Sequence, residues 1–234
     1  MSERRATLTA NLAAVRARIA HACEDAGRDP ASVTLTVVTK FFPASDVRLL
    51  ADLGVTDVGE NRHQEAEAKV AECQDVPVRW HFVGGLQSNK AAAVAAYADV
   101  VESVDRRKVV DALQRGAEQR PRPLDVLLQV SLDPPGTQGG RSGAAPEEVT
   151  ALADLVASRA RLRLRGVMAV APLGADPEEA FARLTKVVEA VRADHPDATA
   201  VSAGMSEDLE AAIRHGATHV RIGRAVLGPR PPIK

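Results

Sequence analysis

Leu35-Thr36-Val37-Val38-Thr39-Lys40 is a short apolar, β-branched run that ends on a lysine. Such a run reads as a buried strand. An ammonium loses hydration when buried, so a lysine at the mouth of a buried strand is pushed toward its neutral, nucleophilic form. That form makes Schiff bases with aldehydes. The alternative is a snorkelling lysine whose ammonium reaches water at the strand end. Lys40 taken alone leaves both open.

Similar runs recur along the chain. Strands are predicted at Thr34–Thr39, Asp57–Glu60, Arg79–Val83, Val100–Val104, Asp125–Ser131, Arg163–Ala169, Thr199–Ser202 and His219–Ile222. A first helix is predicted over Arg4–Gly27, with Leu8, Leu12, Val15 and Ile19 on one face. Further helices are predicted near Ala44–Leu53, Arg62–Ala71, Asn89–Tyr97, Arg106–Arg120, Pro146–Arg159, Pro177–Ala193 and Ser206–His215. Gly54, Gly116 and Gly216 stand where helices should stop, and Pro146 and Pro177 where they should start. Eight βα alternations in one chain predict a single (β/α)8 TIM barrel with an extra N-terminal helix, one domain over residues 1–234. A doubly wound open sheet is the runner-up, but Lys40-Phe41-Phe42-Pro43 stands where its Gly-rich fingerprint belongs.

Aromatic residues are only 3%, so the core must be built from Ala, Val, Leu and Ile. A formal net charge of −1, with both signs interspersed, leaves no electrostatic footprint for nucleic acid or anionic membrane. The charged first twenty residues hold no signal peptide, and no apolar run approaches membrane-spanning length. Cys23 and Cys73 are isolated, without metal-ligand spacing or a disulfide framework. A soluble cytoplasmic protein is expected.

In a barrel the chemistry gathers at the C-terminal ends of the strands. There the chain delivers Lys40, Gly59-Glu60-Asn61, His81 to Gly85, Ser103-Val104-Asp105, Met168-Ala169, Ser202-Ala203-Gly204-Met205-Ser206 and Arg221-Ile222-Gly223-Arg224. The last two ends suit a phosphate. Ser206 stands before a helical pattern as a natural N-cap, Gly223 admits close backbone approach, and Arg224 adds charge. The alternative is a plain cap and a plain turn, with Glu207 and Asp208 complementing the helix dipole. A cradle opposite a strand-end lysine calls for a ligand with a phosphate and an aldehyde. Pyridoxal 5′-phosphate (PLP) fits, as does a sugar phosphate. The stretch Leu132–Gly143 is long for a βα loop, and its position suits a lid.

Together Val37-Val38-Thr39-Lys40, Gly59-Glu60-Asn61, Trp80-His81-Phe82-Val83-Gly84, Leu86-Gln87-Ser88-Asn89-Lys90, Gly166-Val167-Met168-Ala169, Ser202-Ala203-Gly204-Met205-Ser206 and Val220-Arg221-Ile222-Gly223 closely resemble the pyridoxal phosphate homeostasis protein family. That family's barrel is similar to the N-terminal domain of alanine racemases. The resemblance implies that Lys40 carries PLP as an internal aldimine. It further implies that Ser206, Gly223 and Arg224 hold the phosphate, that Arg221 faces the pyridine nitrogen, and that Asn61 and Met205 line the ring pocket. It implies intracellular PLP buffering or delivery without an established reaction, with apo PLP-dependent enzymes as prospective recipients. A monomer is expected. Two positions depart from the family pattern. Arg224 replaces a small hydroxyl residue, and Phe41-Phe42-Pro43 follows Lys40 where polar residues are common.

An amino-acid racemase is the alternative function. Two-base racemisation needs a second acid/base on the opposite cofactor face. In alanine racemases a tyrosine from a further β-domain supplies it, and the chain ends soon after its last predicted strand. The sole tyrosine, Tyr97, falls in a predicted helix, and His81 is expected to be a hydrogen-bonded structural residue. A Schiff-base phosphosugar lyase would need a proton shuttle near Lys40, and Glu60 is the candidate.

Overall fold

The computed structural model describes residues 3–133 and 142–230. Eight parallel strands close into a barrel in sequence order: β1 (Thr34–Val38), β2 (Asp57–Glu60), β3 (Arg79–Phe82), β4 (Val100–Val104), β5 (Leu124–Val130), β6 (Leu162–Ala169), β7 (Ala200–Ser202) and β8 (His219–Ile222). β1 pairs with β2 on one side and β8 on the other, which makes the closure. The open sheet is thereby excluded. Helices α1 (Glu3–Asp25), α2 (Ala44–Asp52), α3 (His63–Glu72), α4 (Ser88–Tyr97), α5 (Arg107–Gly116), α6 (Val149–Ala157), α7 (Pro177–Asp194), α8 (Leu209–Arg214) and α9 (Arg224–Leu227) complete the described elements. Residues 134–141, the greater part of the expected lid, lie outside the described residues.

The strand and helix runs form because their apolar residues are buried between wall and helices. Outside the wall, the larger apolar cluster fills the α4–α7 side and a second lies under α1 and α2. Leu8, Leu12, Val15 and Ile19 of α1 are buried, as their spacing predicts. Pro177 opens α7 behind an Asp176 cap. Pro146 opens a 3-10 turn that leads into α6. Gly54 and Gly216 leave their helices with positive φ, as expected of helix stops. Gly116 does not, and α5 ends there rather than running on to Arg120. A Cβ at Gly116 would sit 2.4 Å from the Ala92 carbonyl, so the glycine serves the packing of α5 on α4.

The inside of the barrel carries a polar network. His81 bonds Asp57 Oδ1 at 2.9 Å through Nε2 and Glu102 Oε1 at 2.7 Å through Nδ1. The Ser202 hydroxyl donates to Glu102 Oε2 at 2.6 Å, and Arg221 Nη1 donates to Ser202 Oγ at 2.7 Å. A bond from β4 to β7 can only run across the interior. Burial opposes charge on His81, but hydrogen bonds to Asp57 and Glu102 outweigh it and raise its pKa to about 9. His81 is thus the hydrogen-bonded structural residue expected, held as an imidazolium.

Candidate functional site

A cavity of about 550 Å³ opens at the C-terminal end of the barrel. Its wall includes Lys40, Asn61, Met205, Ser206, Arg221, Gly223 and Arg224, so barrel closure brings every expected site residue to one place. Lys40 follows β1, and Arg221, Gly223 and Arg224 lie in or just past β8, which β1–β8 pairing makes neighbours.

Lys40 stands just past β1. The N–H of Thr39 donates to Gly59 O at 2.9 Å, so pairing with β2 continues up to the lysine. Its ammonium is weakened chiefly by burial, then by the guanidinium groups of Arg230 and Arg62, with Glu60 and Glu65 opposing. Arg62 and Arg230 lie 5.1 and 4.9 Å from the centroid of the Phe41 ring. This pair of cations beside the lysine has no signature in the sequence, because nothing in a linear pattern joins Arg62 to Arg230. The cavity also takes residues 170–175, including Leu173, from the segment after β6, which strand-end reading overlooked.

Ser206 does not cap a helix. α8 begins at Leu209, behind Asp208. Asp208 Oδ1 accepts from Met205 N at 2.5 Å and Asp208 N donates to Met205 O at 3.3 Å. This side-chain turn competes with helix for the same backbone and delays its start. Opposite it, Gly223 precedes α9, a four-residue helix absent from the sequence reading. A Cβ at Gly223 would lie 3.3 Å from Val38 O, the close approach expected there. Among the described residues, the N–H groups of Ser206, Glu207, Gly223 and Arg224 donate to no acceptor, and neither does the Ser206 hydroxyl. Unpaired donors on residues that line one cavity are the chemistry of a candidate anion site. The side chains of Glu207 and Arg224 are largely exposed and meet each other at 3.4 Å.

α1 braces both halves of this cradle. Arg18 Nη2 donates to Ser206 O at 3.0 Å, Asn11 Nδ2 to Val226 O at 2.9 Å, and Arg4 Nη1 to Leu227 O at 3.0 Å. Arg221 forms the buried floor. It spends Nη1 on Ser202 and donates Nη2 to Ala169 O at 2.8 Å. Glu60 and Tyr97 do not line the cavity: Glu60 bonds Lys69 of α3, and Tyr97 stacks on His63.

The family described as alanine racemase, N-terminal domain, matches residues 10–231. The pyridoxal phosphate homeostasis protein of Mycobacterium tuberculosis H37Rv is 44% identical over 97% of this chain and 95% of its own. The chain belongs to the pyridoxal phosphate homeostasis protein family. The Escherichia coli K12 member of this family is 38% identical over 94% of the chain and 95% of its own. The structure of PipY from Synechococcus elongatus PCC7942, with PLP bound, superposes with a TM-score of 0.80 at 32% identity. It covers 94% of this chain and all of that one. The barrel of that structure therefore coincides with the fold described above. No helix among the described residues is long and apolar enough to cross a membrane.

Proposed function

We propose that this protein binds pyridoxal 5′-phosphate at the strand-end cavity, as one domain, and takes part in intracellular homeostasis of that cofactor. The observation that carries the reading is the meeting of two groups in one cavity. A lysine with a weakened ammonium lines it together with Ser206, Glu207, Gly223 and Arg224, whose N–H groups are unpaired among the described residues.

The residues fit the group. Lys40 would take its aldehyde, the cradle would hold its phosphate, and Asn61 and Met205 would line its ring. When bound, PLP supplies an electron-withdrawing ring for carbanion chemistry. Arg221 works against that use. Its guanidinium stays protonated, so a ring nitrogen held against it would be left unprotonated. Ser202 and Ala169 fix it in this orientation.

The remaining carboxylates of the cavity wall suit a holder better than a two-base enzyme. Glu207 is turned to solvent, and Asp208 ties down Met205. Buffering or delivery without amino-acid turnover follows, with apo PLP-dependent enzymes as recipients.

The test is spectroscopic. Purified protein with PLP should show a visible band that borohydride abolishes, leaving an adduct on Lys40 by intact mass and peptide mapping. Lys40→Ala should lose band and adduct while keeping its fold. Rapid α-proton exchange on L-alanine, abolished in Lys40→Ala, would refute the holder reading.

A further inference from the structure

The peptide groups on both sides of Lys40 are gripped from α3. Lys69 Nζ donates to the carbonyl of Thr39 at 2.9 Å, and the N–H of Phe41 donates to Glu65 Oε1 at 2.5 Å. The same ammonium donates to Glu60 Oε1 at 2.6 Å and Glu65 Oε1 at 3.2 Å. Glu60 Oε1 also accepts from the Thr39 hydroxyl at 2.6 Å. None of Glu60, Glu65 and Lys69 lines the cavity.

A buried lysine is costly unless it is paired. Lys69 is 5% exposed and Glu60 1%, so this is an interior ion pair, not a mobile surface bridge. Nor is it fully satisfied, since Glu60 Oε2 is buried without a partner. The group sits under the one described non-glycine residue with positive φ, Phe41 at 71°. A bulky residue holds that conformation only where its surroundings impose it. The two bonds that straddle Lys40 impose it here.

Resting on the reading of Lys40 as the anchoring amine, we propose that Lys69, with Glu65 and Glu60, is a positioning clamp. It fixes the Thr39–Phe41 backbone in its left-handed turn and so holds Lys40 in the cavity wall. The cradle is braced independently, by α1 through Arg18 and Asn11. Loosening the clamp should therefore impair covalent attachment and spare non-covalent binding. In that attachment Lys40 Nζ bonds the aldehyde carbon, and the aldehyde oxygen leaves as water with both amine protons.

The experiment pairs two probes on the full chain. Pyridoxal 5′-phosphate can react, whereas pyridoxine 5′-phosphate has the same ring and phosphate but no aldehyde. Lys69→Met removes the ammonium. Glu65→Leu removes the acceptor for Phe41, and Glu65→Gln keeps one. Adduct formation, followed by absorbance and borohydride trapping, should slow about tenfold or more in Lys69→Met and Glu65→Leu, as misplaced reacting groups do. Glu65→Gln should stay near wild type. Calorimetric affinity for pyridoxine 5′-phosphate should be unchanged in all three. Equal losses for both probes would make the cluster a general support of the fold and overturn the clamp, as would unchanged adduct rates. Should Lys69→Met not fold, the Glu65 pair decides alone. A wild-type protein that binds both probes yet forms no adduct on Lys40 would sink the anchoring role itself, a result distinct from any variant's failure.

Discussion

Stability should fall as pH rises from neutrality, and His81 should be the cause. The unfolded imidazole titrates at 6.5, and in the barrel it is raised to about 9. A group whose folded pKa is raised stabilises fully below its unfolded pKa and ceases to do so as pH climbs through the folded one. That difference corresponds to roughly 3 kcal/mol lost between about pH 6.5 and pH 9. The acid side has the mirror-image sign. Burial pushes Glu102 up, but His81 above all outweighs it and holds the carboxyl at about 2. Its stabilisation is present above the ordinary carboxyl range and is lost as pH falls toward 2. The assay is urea unfolding across the pH range for wild type and His81→Asn. The variant will be less stable throughout, since it removes the cation that bridges Asp57 and Glu102 and leaves them only the more distant Arg79 and Arg221. What matters is the slope: wild type should lose its advantage over the variant progressively as pH rises from about 6.5 to about 9. Parallel stability profiles between about pH 6.5 and 9.5 would refute the buried imidazolium.

Ser206→Ala should weaken cofactor retention by about 1 kcal/mol, the worth of one hydrogen bond, in a dialysis or calorimetric measurement. Dephosphorylated pyridoxal should be insensitive to that change, and equal affinity for pyridoxal and its phosphate ester would contradict the cradle. Gly166→Ala should destabilise by about 2 kcal/mol or more through overpacking, read by thermal or urea unfolding. A Cβ there would lie 1.8 Å from Ala200 O, at a φ of 148°.

The barrel was legible because its strands are buried on both sides, so each is a short β-branched run bounded by turn residues. Asp57–Glu60, Val100–Val104 and His219–Ile222 match the observed strands end to end. The site was legible for a topological reason, since a closed barrel must gather its strand ends. Other features were not. Glu102 looks like an outward-facing residue in an alternating strand, yet it is buried against His81 and Ser202. The start of α8 was misread because Ser206 has the right chemistry for a cap. Asp208 outcompetes it by binding Met205 N. α9 has four residues, too few for any periodicity, and is held by Arg4 and Asn11 from the far end of the chain. The α3 clamp was hidden for the same reason that Lys69 looked ordinary: an EAK-rich helix reads as a solvated surface.

Arg224 gives the sharpest test of how the cradle works, because it departs from the family's small hydroxyl residue. Two accounts differ in their consequences. In the first, backbone N–H groups hold the anion and the side chain is incidental. In the second, the guanidinium replaces the missing hydroxyl with a charge. The geometry favours the first. The Arg224 side chain is 69% exposed and leans on Glu207, also exposed, at 3.4 Å. Exposed pairs of this kind contribute about 1 kcal/mol at most. Arg224 nevertheless lines the cavity, and its backbone N–H has no partner among the described residues. Arg224→Thr should therefore change affinity for the phosphate ester by no more than a few-fold, about 1 kcal/mol, and leave its salt dependence nearly unchanged. Loss of a charge-assisted bond to the phosphate would instead cost about 1.5–3 kcal/mol and flatten the salt dependence. A loss of that size in calorimetry, recovered by Arg224→Lys, would move the anchor from the backbone to the side chain.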